Sequence, residues 1–241
     1  MMRTGCMVMG LHKGSQEERR LADNVIAYLS SKGRKNVFSA FLYGEDPYEV
    51  MASKFNDEGI DTFSIIPLCI SEGQQSIWDM PAAIHLPDNS GSWTMVGEHD
   101  VATRFATALG RDPSMAEAIA ESLGEPKGDT GILLLAYGSN LSQCGKTADY
   151  YTEYIRSKGW KASFAFTKLG TPKVSDAADG LVSDGCSKIT VVSLFTTFSG
   201  KSAESAKDAL RDIGADVSYT EPVSRLQAFM EIIDSKIPEG W

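Results

Sequence analysis

Several short segments of this 241-residue chain set glycine among polar side chains that could do chemistry. They are Leu11-His12-Lys13-Gly14-Ser15, Tyr43-Gly44-Glu45-Asp46-Pro47, Ser71-Glu72-Gly73-Gln74-Gln75, Tyr137-Gly138-Ser139-Asn140, Leu169-Gly170-Thr171-Pro172 and Thr197-Phe198-Ser199-Gly200-Lys201-Ser202. An imidazole titrates near neutral pH and binds first-row metals, while the carboxylates of Glu45 and Glu72 are hard oxygen donors. Helices starting after Ser15 and Ser139 would turn unpaired N–H groups toward an anion. Lys13, Lys168, Lys173 and Lys201 lie in or beside these segments, with Arg19 and Arg20 a turn further on. The chain carries a formal charge of −9, so an anionic ligand would need such a local positive patch.

These segments follow a pattern that repeats. Ser31-Lys32-Gly33-Arg34-Lys35 recurs as Ser157-Lys158-Gly159-Trp160-Lys161, and the stretch from Gly59 to Leu68 matches Gly185 to Leu194, both offset by 126 residues (159 − 33 and 185 − 59). Gly14-Ser15 pairs with Gly138-Ser139, and Pro47 with Pro172, in the same order. Each copy alternates short apolar runs with helical periodicity. Met7-Val8-Met9 and Ile132 to Ala136 read as first strands, continuous as in a parallel sheet covered on both faces. Ser15 with Glu18 forms a capping-box pattern, Leu21, Val25 and Leu29 repeat every fourth residue, and Gly33 is the stop. Val37–Leu42 and Ser163–Phe166 read as second strands, Phe63–Leu68 and Ile189–Phe195 as third, and Thr94–Val96 and Val217–Tyr219 as fourth, each half ending in a helix. The predicted fold is α/β: two tandem doubly wound parallel-sheet domains, 1–125 and 126–241, meeting at the turn-rich Gly124 to Asp129. In such sheets ligands bind beyond the carboxyl ends of the strands, where all the polar segments above fall, so a cleft between the domains is the expected site.

Bulk composition excludes several classes. Hydrophobic residues make up 42% and charged residues 23%, the balance of a chain that buries a core. The acidic charge, with no basic run, argues against nucleic acid as a partner. No apolar stretch approaches the roughly 20 residues of a membrane span and the first residues do not form a signal peptide, so a cytoplasmic location is expected by default. Cys6, Cys69, Cys144 and Cys186 form no C-x-x-C pair and read as reduced thiols.

Together, His12-Lys13-Gly14-Ser15, Ile66-Pro67-Leu68 and Gly73-Gln74-Gln75-Ser76-Ile77-Trp78-Asp79-Met80-Pro81 resemble the sirohydrochlorin cobalt- and nickel-chelatases of the class II tetrapyrrole chelatase superfamily, whose long members are duplicated. The resemblance implies insertion of a divalent metal, cobalt, nickel or iron, into a tetrapyrrole, with the metal as substrate and no permanently bound cofactor. The chain departs from the family pattern where the family places histidines. Lys13 stands at the first position with His12 one residue earlier, Gln75 stands at the second, and the second copy has neither histidine. A lysine ammonium repels a cation unless its pKa falls, and Gln75 offers only a neutral oxygen. The catalytic candidates are His12, Glu72 and Gln75, and the metal donors His12 and Glu45: His12 would recover the missing histidine's role, and the glutamates would add hard oxygen donors. Lys13, Gly14, Ser15, Gly73, Gln74, Gly138, Ser139 and Lys201 become candidates for holding the substrate.

Two other readings stay open. Loss of histidines would leave a tetrapyrrole carrier or scaffold of the same fold, and a pair of flavodoxin-like or periplasmic-binding-type domains would hold a small anion. His12 itself reads equally as a partly buried histidine with a backbone partner. His85 and His99 read as structural or surface residues. Among the aromatics, Trp78 and Phe198 are the candidates for stacking on a ring, while Trp93 and Trp160 read as core or edge packing. A homodimer is compatible with all three readings.

Overall fold

The computed structural model describes residues 3–239. The chain divides into two compact units, one holding the residues up to Leu109 and those from Met230 on, the other Gly110–Phe229.

The first unit is built on β1 (Thr4–His12), β2 (Val37–Tyr43), β3 (Thr62–Pro67), β4 (Trp93–Val96) and β5 (His99–Phe105), in the sheet order β2-β1-β3-β5-β4. Between the strands run α1 (Gln16–Ser31), α2 (Pro47–Glu58) and, after a single π-turn at Gln75–Asp79, the short α3 (Met80–Ala82). The helix boundaries follow from local chemistry. Ser15 Oγ accepts from Glu18 N at 3.3 Å to start α1. Asp46 caps α2 through Tyr48 N, Pro47 fills its first turn, and Gly59 ends it at φ 68°, a left-handed conformation that costs an L side chain about 1 kcal/mol or more. Met7, Met9, Phe63 and Ile65 are fully buried against Met51, Met80 and Ile84. Each such side chain contributes about 1.5–3 kcal/mol through removal from water.

The second unit contains α4 (Pro113–Leu123), β6 (Thr130–Ala136), α5 (Ser142–Ser157), β7 (Lys161–Phe166), α6 (Val174–Ser183), β8 (Lys188–Ser193), α7 (Gly200–Ala209) and β9 (Asp216–Tyr219). Its sheet is parallel throughout, in the order β7-β6-β8-β9. Central strand β6 is buried at every residue, which is why its sequence is an unbroken apolar run. The two sheets share a register: Thr4 lies beside Thr62 and Thr130 beside Lys188, each member of the second pair 126 residues beyond the first (130 − 4 and 188 − 62).

Two features differ from the sequence expectation. Thr94–Val96 belongs to β4, but that strand is antiparallel and lies at the edge; the parallel fourth strand is β5, which the sequence reading passes over. The reason is that β5 (HDVATRF) alternates exposed and buried residues rather than forming an apolar run. It joins β4 through Gly97-Glu98, with Gly97 at φ 61° as a two-residue hairpin turn requires. Second, the units part at Leu109 and Gly110 rather than at residue 125. Helix α4 bonds to α5: Tyr154 donates its hydroxyl proton to Glu117, Lys158 Nζ reaches Glu117 Oε2 at 2.9 Å, and Tyr151 donates to Gly110 O at 2.8 Å. The final helix α8 (Gln227–Ser235) is directed instead to the first unit, where Arg34 Nε donates to Asp234 Oδ1 at 2.8 Å and Lys236 Nζ to Thr107 Oγ1 at 3.1 Å.

Candidate active site

Parallel pairing places the ends of β1, β2 and β3 on one edge of the first sheet, so the segments beginning at His12, Tyr43 and Leu68 emerge together. His12 is the last residue of β1 and is exposed; its register partner is Tyr43, and the two rings stack with centroids 4.8 Å apart and planes at 26°. The imidazole therefore faces outward from a strand end, held against a neighbour's ring. Its backbone is fixed as well. Leu11 N and His12 N both donate to Glu18 Oε2, at 2.9 and 2.7 Å, so one carboxylate from the first turn of α1 closes the strand end. Charge-assisted bonds of this kind are about twice as strong as neutral ones.

The next residues form a tight corner. Ser15 N donates to His12 O at 3.1 Å, and Lys13 N to Tyr43 O at 2.9 Å. Arg19 donates one guanidinium N–H to Lys13 O. Lys13 Nζ lies 2.5 Å from Glu45 Oε2, while Glu45 Oε1 accepts from Phe41 N at 2.8 Å. Both oxygens of Glu45 thus have partners, and the Glu45 side chain is only 14% exposed against 50% for Lys13. Gly14 is exposed and would have open space around an added Cβ.

On the third segment, Glu72 and Gly73 are partly exposed, and Gly73 N donates to Ser76 Oγ at 3.1 Å. Gln74 is exposed and bonds through Nε2 to Asp79 Oδ1 at 3.0 Å. Gln75 opens the π-turn and is partly exposed, and Trp78 lies exposed on the same turn. Among the described residues no three His, Cys, Asp or Glu side chains gather into a group that could hold a metal, so His12, Glu45 and Glu72 do not form one.

The equivalent edge of the second sheet carries different residues. Gly138 is buried at φ 92°, and a Cβ there would stand 1.7 Å from Leu169 O, so only glycine lets the ends of β6 and β7 approach. Ser139 Oγ accepts from Leu141 N at 3.1 Å and so belongs to its own turn. Lys201 is exposed in the first turn of α7, and Lys168 and Lys173 are exposed around the end of β7. Phe198 is partly buried in a run of rings that also includes Tyr137, Phe195 and Tyr219. Trp160 is buried, whereas Trp93 is an exposed residue of edge strand β4. His85 stacks on Tyr48 at 4.0 Å, in the first turn of α2, and His99 lies 5.4 Å from Phe55.

The roles of five residues escape the sequence reading. Glu18 is visible as a capping-box residue, but its carboxylate reaches back to Leu11 and His12 instead of to Ser15. Tyr43 becomes a partner of His12 only once the β1–β2 register is known. Tyr137, Phe195 and Tyr219 are ordinary apolar residues until three strand ends bring them side by side.

Two α/β units with polar segments at the carboxyl strand ends are an arrangement shared with solved chelatase structures. Bacillus subtilis SirB, solved with Fe3+, superposes with a TM-score of 0.78 at 13% identity, covering 98% of this chain and 94% of SirB. A multidomain Deinococcus radiodurans protein with structural similarity to chelatases gives 0.72 at 17% identity over 100% of this chain, which spans 56% of that longer protein. At such identities the likeness is one of fold. Sequence is more specific: residues 10–125 match the CbiX family. The sirohydrochlorin cobaltochelatase of Sulfurisphaera tokodaii is 24% identical over 110 residues, 45% of this chain and 92% of its own length. The likeness to sirohydrochlorin chelatases is carried by that segment, a little under half of the chain.

Proposed function

We propose that the protein is a tetrapyrrole metal chelatase that inserts a divalent cobalt, nickel or iron ion into sirohydrochlorin or a close relative, with His12 as the working imidazole. The observation that carries this reading is His12 itself. In a CbiX-family segment, it is an exposed histidine at the carboxyl end of β1, with its backbone closed by Glu18 and its ring laid on Tyr43. Insertion exchanges one M2+ for the two protons on the ring nitrogens. A neutral imidazole at a strand end can accept such a proton near neutral pH and hand it to water, and it can also meet the incoming cation. Glu72 and Gln75, from the third segment of the same edge, are its proposed assistants.

Glu45 has a different role in this scheme. Because it is tied to Lys13 and to the Phe41 amide, it serves to neutralise the lysine beside the imidazole, which lowers the repulsion an approaching cation would meet. Gly14, Ser15, Gly73 and Gln74 shape the edge on the first unit. Gly138, Ser139 and Lys201 occupy the corresponding edge of the second unit, where Lys201 is an exposed cation.

The test is an absorbance scan of sirohydrochlorin with the full chain, with and without cobalt or nickel. A band shift advancing faster than the uncatalysed control, and falling at least tenfold in His12→Ala, is expected for general acid–base work by this residue. A shift from protein alone that metal does not advance would mean the carrier reading instead. Unchanged turnover in His12→Ala would remove this residue from the chemistry.

A further inference from the structure

The second sheet ends in a surface that metal insertion alone does not call for. Tyr137 follows β6, Phe195 and Phe198 follow β8, and Tyr219 ends β9. Since β6, β8 and β9 are adjacent, their rings form a continuous run. Tyr137 and Phe195 meet edge to face with centroids 6.5 Å apart, Phe195 and Phe198 lie 5.9 Å apart, and Phe198 and Tyr219 stack at 5.9 Å and 28°. A run of this kind is ordinarily core, but here Tyr137 is 47% and Tyr219 38% exposed. Leu169, at the end of the neighbouring β7 segment, is exposed too. At about 4.8 Å per strand the run spans roughly 10 Å, the scale of a tetrapyrrole ring. Lys207 Nζ lies 5.7 Å from the centroids of both Phe198 and Tyr219, and Lys201 stands exposed one segment earlier on the same helix.

We propose that Tyr137, Phe195, Phe198 and Tyr219 form a stacking platform for the flat face of a carboxylated tetrapyrrole, with Lys207 and Lys201 pairing with its peripheral carboxylates. The proposal rests on the tetrapyrrole reading above and adds to it the residues that hold the ring. Two features select this ligand over other apolar ones. Tyr137 and Tyr219 keep exposed aromatic surface, which suits a broad conjugated ring better than an aliphatic chain. The cation at their margin matches a ligand whose centre is apolar and whose rim is anionic, in a protein whose net charge would otherwise repel it. Two of its rings have no aromatic counterpart on the first unit: the residues 126 positions before Phe195 and Phe198 are Cys69 and Glu72.

The experiment titrates the full chain with metal-free sirohydrochlorin and follows the ring's absorbance, in wild type, Tyr219→Ala, Tyr219→Phe and Lys207→Ala. Tyr219→Ala is expected to weaken binding roughly three- to tenfold, Lys207→Ala about threefold, and Tyr219→Phe to remain within twofold of wild type. In insertion assays the same losses should fall on KM, with kcat unchanged. Thermal midpoints identify a variant that has lost its fold, and Lys207→Ala, on an exposed helix face, tests the platform while leaving all four rings in place. If wild type binds and Tyr219→Ala and Lys207→Ala bind equally well, the platform is wrong and the tetrapyrrole reading stands. If wild type does not bind sirohydrochlorin at all, both are overturned.

Discussion

At the carboxyl edge of the first sheet β1 ends on an imidazole stacked on a tyrosine, followed by a lysine paired with a glutamate; in the second sheet β6 ends on Ala136 and is followed by Tyr137, in a run with three more rings. The strands beneath are set in one register. One frame therefore supports a polar edge and an aromatic one, and the difference lies in the residues at and just past each strand end. The frame fixes where side chains emerge, and the loops decide what chemistry is available there.

The sharpest way to break this comparison is at the glycine the two edges share. Gly138→Ala should cost about 3 kcal/mol or more in urea unfolding, since its Cβ would collide with Leu169 O and its φ of 92° disfavours any L side chain. Gly14→Ala, where an added Cβ meets open space, should change stability by less than about 0.5 kcal/mol. Equal losses at the two positions would mean that the edges are built alike after all.

Next in size is Glu18. Replacing it with Ala leaves the Leu11 and His12 amides without their acceptor, at an expected cost of about 1–3 kcal/mol, with Gln recovering part of it. Chelation should fall with it, through displacement of His12, and a variant with lowered stability but unaltered turnover would dissociate the strand closure from the chemistry.

The pH response separates the units further. Hydrogen bonds from the Tyr154 hydroxyl and then from Lys158 hold the Glu117 carboxyl below its ordinary value of 4.5. The folded-state pKa is depressed, so this contribution to the α4–α5 pairing is present above that value and is lost as pH falls through the lower folded-state value. Acid unfolding followed in wild type and Glu117→Gln should therefore diverge above the carboxylate range and converge below it. The smallest effect is expected of Glu45→Gln, which loosens a partly exposed ion pair by about 0.5 kcal/mol. Its consequence should appear instead as slower metal insertion, with Lys13 no longer neutralised.

Much of the frame was legible in the sequence because it rests on local rules. Gly59 in a left-handed cap, Ser15 at the start of α1 and the apolar run of β6 are each set by a few neighbouring residues. Strand β5 was not legible, since its alternation is that of a strand with one exposed face and its pairing is decided by a distant partner, β3. The site divides in the same way. His12 could be picked out by type and position, whereas Tyr43 beneath it, the backward reach of Glu18 and the assembly of four rings depend on register and on strand order. Such contacts join residues far apart in the chain and leave no periodic trace.

The bond from Arg34 to Asp234 bears on how the molecule is made. It links residues 200 positions apart, and the Thr107–Lys236 bond adds a second late tie to the same unit. At the roughly 5–20 residues per second of translation, Arg34 leaves the ribosome about 10–40 s before its partner exists. The half that begins synthesis first is therefore finished last, and its nascent form must wait, incompletely tethered, while the other unit takes shape.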